Sequence, residues 1–304
     1  MNNMAQLLEL LSGCTTKEIK VNEPMSHHTT FHIGGPCDFL ATPSNEAELV
    51  ALIKVAKENN LPITFIGNGS NLLVRDKGIR GLVIKIAGAM ADEKINGNEL
   101  TFSAGISLAL AARKAAKLSL SGMEFASGIP GTLGGAAYMN AGAYDGEMQN
   151  IIKSVRVLKA NGNFVELSNK EMGFSYRKSI IQGSGDIITS VTLALNPGDE
   201  NAINEKMDDF STRRNAKQPL DKPSAGSTFK RPPGNFAGTL IDKTGLKGYT
   251  VGGAQVSEKH AGFVVNIGNA TCKDVLTLIK DVQAKVFAAH GVKLETEVLL
   301  LGEE

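Results

Sequence analysis

Cysteine is scarce in this sequence. Cys14, Cys37 and Cys272 are the three, odd in number and far apart. They supply neither a disulfide framework nor metal-ligand spacing, so no metal site is expected. Charge of one sign is scarce too, since 32 Lys and Arg against 31 Asp and Glu leave a formal net charge of +1. The basic residues are scattered, which argues against nucleic acid or an anionic membrane as main partner. No apolar run reaches about 18 residues, and the opening MNNMAQLLELLS lacks a basic segment. Neither a membrane span nor a secretory signal is therefore expected, and the chain reads as cytoplasmic. Low-complexity tracts are missing as well. The 304 residues that are present, 42% hydrophobic and 21% charged, suit a globular protein with room for two or three domains.

Periodicity sets the organisation. Residues 29–42, TTFHIGGPCDFLAT, alternate short extended pieces around a Gly-Gly-Pro turn. A helix is predicted over 44–59, capped by Ser44, with Leu49, Leu52, Ile53 and Ala56 on one face and Pro62 as its stop. Strands come next at 63–66, 72–74, 82–86 and 100–104, then an Ala-rich helix at 107–118. A glycine-rich stretch occupies 127–146. A hairpin is predicted at 154–158 and 164–167, a Ser168–Glu171 capping box after it, a strand at 186–195 and a polar helix at 199–216. Pro219, Pro223, Pro232 and Pro233 mark a domain boundary in 217–235. The last part predicts a helix near 236–243, strands near 249–256 and 261–267, a helix over 271–290 started by Thr271 and Asp274 and stopped by Gly291, and a strand over 293–301. Strands cluster irregularly between helices, so the class is α+β rather than regular βαβ.

Two glycine-rich loops stand out. In FIGNGSNLLV at 65–74 the run Gly67, Asn68, Gly69, Ser70, Asn71 sits where a strand ends. A Rossmann fingerprint needs a third Gly or Ala, but Leu72 stands there and the next residues are strand-like, so that fingerprint fails. The second loop holds Gly128, Ile129, Pro130, Gly131, Gly134 and Gly135, with Asn140, Ala141 and Gly142 just beyond. Its Pro130 breaks the Rossmann spacing. Neither loop ends in Gly-Lys-Ser/Thr, which excludes a Walker loop. A lone loop of this kind is as a rule only a tight turn. Two in one chain, about 60 residues apart, point to backbone N–H nests that suit a diphosphate.

The blocks TTFHIGGPCDF (29–39), FIGNGSNLLV (65–74), GIPGTLGGAAYMNAGAY (128–144), FSYRKS (174–179), AGSTFKRP (225–232) and KLETEV (293–298) occur in that order. Together they resemble the UDP-N-acetylenolpyruvoylglucosamine reductase (MurB) family. The resemblance covers nearly the whole chain and is specific because six blocks keep their spacing. It implies an α+β fold with a two-lobed FAD-binding domain of the vanillyl-alcohol-oxidase (PCMH) type and a smaller α+β substrate-binding domain. The implied division is 1–66 with 296–304 for the first lobe, 67–216 for the second and 217–295 for the substrate domain. It further implies non-covalent FAD held by the two glycine loops with Leu72 and Ile188, and NADPH as reductant. His32 departs from the pattern, standing where the family usually has Arg or Lys. The short segment after Arg177 lacks the Tyr-bearing loop of one subtype, which points to the shorter subtype.

By that resemblance the reaction reduces UDP-N-acetylglucosamine enolpyruvate to UDP-N-acetylmuramate, in peptidoglycan precursor synthesis and so in cell-wall biogenesis and division. Hydride goes from reduced flavin to C3 and a proton to C2. Adding hydride pushes charge into a carboxylate that is already anionic, so donors aimed at it are the main requirement. Arg177 matches the family arginine, whose planar fork can grip a carboxylate. Glu297 matches the glutamate that donates a proton to the same group. Ser227 matches the proton donor, a weak acid that suffices only against a strongly basic carbon. Lys230 is a candidate helper, and Arg213 and Lys217 are candidates for the UDP diphosphate. A monomer or weak oligomer is expected. No G-x-S-x-G elbow suggests a serine hydrolase. An oxygen-using oxidase on the same scaffold, or a non-catalytic binding module, is the competing reading.

Overall fold

The structure is a computed structural model that describes residues 4–87, 93–144 and 146–304. Residues 1–3 of the opening segment and Asp145 of the predicted glycine-rich stretch lie outside the described residues. The chain folds as two compact units. The first holds residues 1–20, 40–68 and 82–214, the second 21–39, 69–81 and 215–304.

Seven α-helices occur among the described residues: α1 Met4–Ser12, α2 Glu46–Glu58, α3 Leu108–Lys117, α4 Leu133–Met139, α5 Glu200–Lys217, α6 Ala237–Lys243 and α7 Cys272–His290. Helix α2 buries Leu49, Leu52 and Ala56 as its spacing predicts. Its cap is Asn45, not Ser44. The Asn45 side chain takes the Glu48 N–H at 2.9 Å, while the Ser44 N–H is itself bound by the Glu48 carboxylate at 2.8 Å.

The first unit is built on a five-stranded antiparallel sheet ordered Phe164–Ser168, Ile152–Leu158, Ile187–Ala194, Glu99–Ser103, Lys94–Asn96. The expected 154–158/164–167 hairpin is its edge pair. Ser168 and Glu171 do bond, through the Ser168 N–H at 2.8 Å, but they close a turn rather than a helix. Helix α4 sits deep in this unit. A Cβ on Gly134 would stand 2.7 Å from Ala104 Cβ, so only glycine lets the helix come this close. In the same unit Ile63–Ile66 pairs in parallel with residues 82–85, Ile63 beside Leu82.

The second unit has a four-stranded antiparallel sheet ordered Ser224–Ser227, Phe263–Asn266, Ala254–Val256, Thr250–Val251. The single strand expected near 249–256 is thus two, turning at Gly252 with φ +55°. Its core joins Val256 and Val264 of the sheet to Val275, Leu278, Ile279, Val282 and Val286 of α7. Thr271 and Asp274 form the expected capping box and Gly291 ends α7 in the left-handed region. The strand expected over 293–301 shrinks to Leu299–Leu301, which pairs in parallel with Leu72–Val74.

Candidate active site

The stretch 65–74 is a strand, a loop and a strand, but not a hairpin. Ile63–Ile66 pairs with Ile79–Lys85, and Leu72–Val74 pairs with Leu299–Leu301. No helix succeeds the loop, in keeping with the failed Rossmann fingerprint. Among the described residues, no acceptor takes the backbone N–H groups of Gly67, Asn68, Gly69, Ser70 or Asn71. Gly69 is buried, and buried donors left without a partner are rare in folded proteins, so such a run marks a place for an anionic ligand. Gly69 also needs to be glycine. Its φ is +66° and a Cβ would lie 2.1 Å from the His28 carbonyl oxygen.

The second loop meets the first within the first unit. A Cβ on Gly67 would stand 2.7 Å from Thr132 Oγ1. Thr132 caps α4 by accepting the Gly135 N–H at 3.2 Å. The N–H groups of Gly128, Gly131 and Thr132 likewise have no acceptor among the described residues. The crowded glycines and the free donors fit the diphosphate of a dinucleotide lying along a cradle that side chains would fill.

Arg177 lies in the same unit, on the Ser175–Lys178 bridge. Its φ of +56° is costly for a non-glycine residue, a strain that clusters at functional sites. Its guanidinium lies over the Tyr176 ring and donates to the Gly142 carbonyl at 3.4 Å. Asn140 holds this turn in place. It ends α4 with φ +42° and is fully buried, and its amide donates to Ser175 O and Glu147 while accepting the Gln149 N–H. That side chain is consumed internally, so it offers a ligand only its backbone. Ala141 and Gly142 continue from it, and Ile188 is buried in Ile187–Ala194.

Ser227 and Glu297 are brought together in the second unit. Phe229 and Thr296 form an antiparallel bridge, flanked by Glu297 N–H to Thr228 O at 2.8 Å and Lys230 N–H to Glu295 O at 2.8 Å. Ser227 therefore lies one residue from the Glu297 partner position. It is exposed and comes after Gly226 at φ +74°. The Asn71 amide donates to Glu297 O at 3.1 Å, which fixes the Glu297 backbone at both ends to the first glycine loop and the Ser227 strand. Lys230 pairs with Glu295 at 3.2 Å, Arg213 with Asp209, and Lys217 is exposed. His32 is exposed, with φ +53°. All three cysteines are free; burial pushes the Cys37 thiol up to about 11 and the Cys272 thiol to about 12, leaving both inert. No cluster of His, Cys, Asp and Glu suited to a metal occurs among the described residues, and no helix there is long and apolar enough to cross a membrane.

One residue of this region escaped the sequence. Thr132 carried a weak signal, a threonine opening a helix that its glycines disguised.

The cradle and the sheet around it define a class. An FAD-binding domain model matches residues 37–168, and the fold is that of an α+β flavoprotein with an FAD-binding domain. A model of the C-terminal domain of UDP-N-acetylenolpyruvoylglucosamine reductase matches residues 218–301, the part that carries Ser227 and Glu297. A UDP-N-acetylenolpyruvoylglucosamine reductase of Clostridioides difficile is 52% identical over all of this chain and all of its own length. Another, from Caldanaerobacter subterraneus, is 50% identical over 94% of this chain and 95% of its own. The crystal structure of the reductase from Thermus caldophilus superposes with a TM-score of 0.78 at 36% identity, covering 93% of this chain and 98% of that one. The chain belongs to the UDP-N-acetylenolpyruvoylglucosamine reductase family, and is an oxidoreductase with FAD as its cofactor.

Proposed function

We propose that this chain reduces UDP-N-acetylglucosamine enolpyruvate to UDP-N-acetylmuramate with electrons from NADPH, in the cytoplasm, as a step of peptidoglycan precursor synthesis. The observation that carries the reading is the isolated Phe229–Thr296 bridge, which brings Ser227 within one residue of the Glu297 partner position, while Glu297 O accepts the Asn71 amide of the glycine loop. Bound FAD supplies the hydride that reaches C3 of the enolpyruvyl group. Arg177 grips the substrate carboxylate with its planar fork, and its turn is stiffened by Asn140 so that little order is lost on binding. Glu297 donates to the same carboxylate as negative charge builds there. Ser227, exposed at the end of its strand, delivers the proton to C2. Lys217 attracts the nucleotide diphosphate, with Arg213 as a weaker candidate because Asp209 already neutralises it, and Lys230, held by Glu295, is a candidate helper of Ser227. The domain division 1–66 with 296–304, 67–216 and 217–295 belongs to the same proposal, as does a monomer or weak oligomer.

An anaerobic titration tests it. NADPH should bleach the flavin of the purified protein, and the enolpyruvyl sugar should restore the colour within a turnover. Ser227→Ala should keep the bleaching but slow the recolouring by roughly 10²–10⁴-fold. A protein that takes up no flavin, or one whose reduced flavin ignores the sugar, ends the proposal.

A further inference from the structure

The turn that carries Arg177 is held on both sides by side-chain amides. Ser175 and Lys178 close it, exchanging backbone hydrogen bonds at 3.1 and 3.0 Å. Arg177 takes its third position with φ +56°, a left-handed conformation that suits glycine and strains an arginine. On one side the buried Asn140 amide donates to Ser175 O at 3.1 Å. On the other the Gln182 amide donates to Arg177 O at 3.0 Å and to Tyr138 O at 3.1 Å. The hydroxyl of buried Ser179 also donates to Tyr138 O, at 2.7 Å. Tyr138 lies in the last turn of α4 and Asn140 is its cap. The Arg177 backbone is thereby clamped to the far end of the helix that opens at Thr132 of the second glycine loop.

Gln182 suits this task by its chemistry. A carbonyl oxygen only accepts, so two carbonyls facing one side chain call for a group with two N–H donors, and a primary amide has them without a charge to bury. The Gln182 N–H closes a turn on Ser179 O at 3.3 Å, which folds the chain back toward Arg177. Without the clamp, Arg177 can relax to negative φ, and that rotation swings its Cα–Cβ bond and the guanidinium with it. We infer that Gln182 is a positioning residue, holding the strained Arg177 backbone against α4 so that the guanidinium is aimed at the substrate carboxylate. This rests on the role proposed for Arg177 in reducing the enolpyruvyl sugar. Gln182 acts through Arg177 and not on substrate or flavin.

Anaerobic stopped-flow of the holoprotein tests it, by following flavin bleaching by NADPH and then recolouring by the enolpyruvyl sugar. Both are measured for wild type, Gln182→Leu, Gln182→Lys, Arg177→Ala and the Gln182→Leu/Arg177→Ala double. Gln182→Leu, similar in size but without a donor, should slow recolouring by roughly 10–100-fold, since small misplacements of a positioned group cost that much. Its flavin content and bleaching rate should stay within about twofold of wild type. Gln182→Lys, which restores a donor, should recolour faster than Gln182→Leu. In the Arg177→Ala background, Gln182→Leu should change recolouring by less than about twofold, because the residue it serves is gone. A merely structural role would slow the double further. The inference is overturned if Gln182→Leu recolours within about twofold of wild type or slows both halves alike. It is equally overturned if Gln182→Lys gives no rescue, or if the loss persists in the Arg177→Ala background. Should Gln182→Leu yield no folded flavoprotein, Gln182→Glu replaces it, facing the same two carbonyls without a donor, and the same outcomes decide. Failure of the functional proposal looks different: reduced wild type itself would ignore the sugar.

Discussion

Glu124 shows how single residues set the pH range of this protein. It is 4% exposed. Desolvation would raise its pKa, but hydrogen bonds from its own backbone, the Ser121 hydroxyl and the Gly122 N–H, helped by Lys206, outweigh that and hold it below the usual glutamate value. A folded pKa below the unfolded one adds stability that is fully present above about pH 4.3 and lost as pH falls through the folded value. Glu124→Gln should cost about 1–3 kcal/mol at pH 7 and progressively less below about pH 4, read from urea unfolding at both. Gly69→Ala tests the glycine loop in the same way. Its φ and the His28 oxygen at 2.1 Å forbid a Cβ, so flavin affinity should fall at least tenfold. An unchanged affinity would mean that the loop does not touch the cofactor. At this scale the sequence was uneven. The blocks that hold Arg177, Ser227 and Glu297 could be read locally, whereas the Phe229–Thr296 bridge joins residues far apart in the chain and had no local signal.

Elements with their own end signals were the most legible. Helix α7 starts at the expected Thr271–Asp274 box and stops at Gly291, because capping is a local interaction between near neighbours. Asp76 was not legible there. Its carboxylate takes the Cys272 and Lys273 N–H groups at 2.7 and 3.1 Å from almost 200 positions away, adding a second cap. Thr271→Ala should cost about 1 kcal/mol, and Asp76→Ala about 1–2 kcal/mol; chemical denaturation of each variant and of the double would show whether the two caps add. Helix α4 was missed because Gly134 and Gly135 have poor helix propensity, and Gly134 is there for contact with Ala104 rather than for helicity. The final strand was overdrawn for the opposite reason. The residues of 293–298 are extended but spend their hydrogen bonds on an isolated bridge and on Asn71, not on a ladder.

For the whole molecule the two glycine loops carry a measurable consequence. Their N–H groups, eight counting Gly67 to Asn71 with Gly128, Gly131 and Thr132, lack an internal acceptor among the described residues. The flavin-free protein must leave these donors to water, and a ligand that satisfies them binds the folded chain and not the unfolded one. Free FAD at about 100 times its Kd should then stabilise by about 2.7 kcal/mol. For a chain of this size that is a rise in Tm of roughly 4–8 °C. Riboflavin, which has the ring but no diphosphate to meet the donors, should give a smaller rise even when its concentration is raised to the same value. Differential scanning fluorimetry across a concentration series of each flavin separates the two. Equal shifts at equal concentration would mean that the ring alone carries the binding, and the loops would then be turns and not a diphosphate cradle.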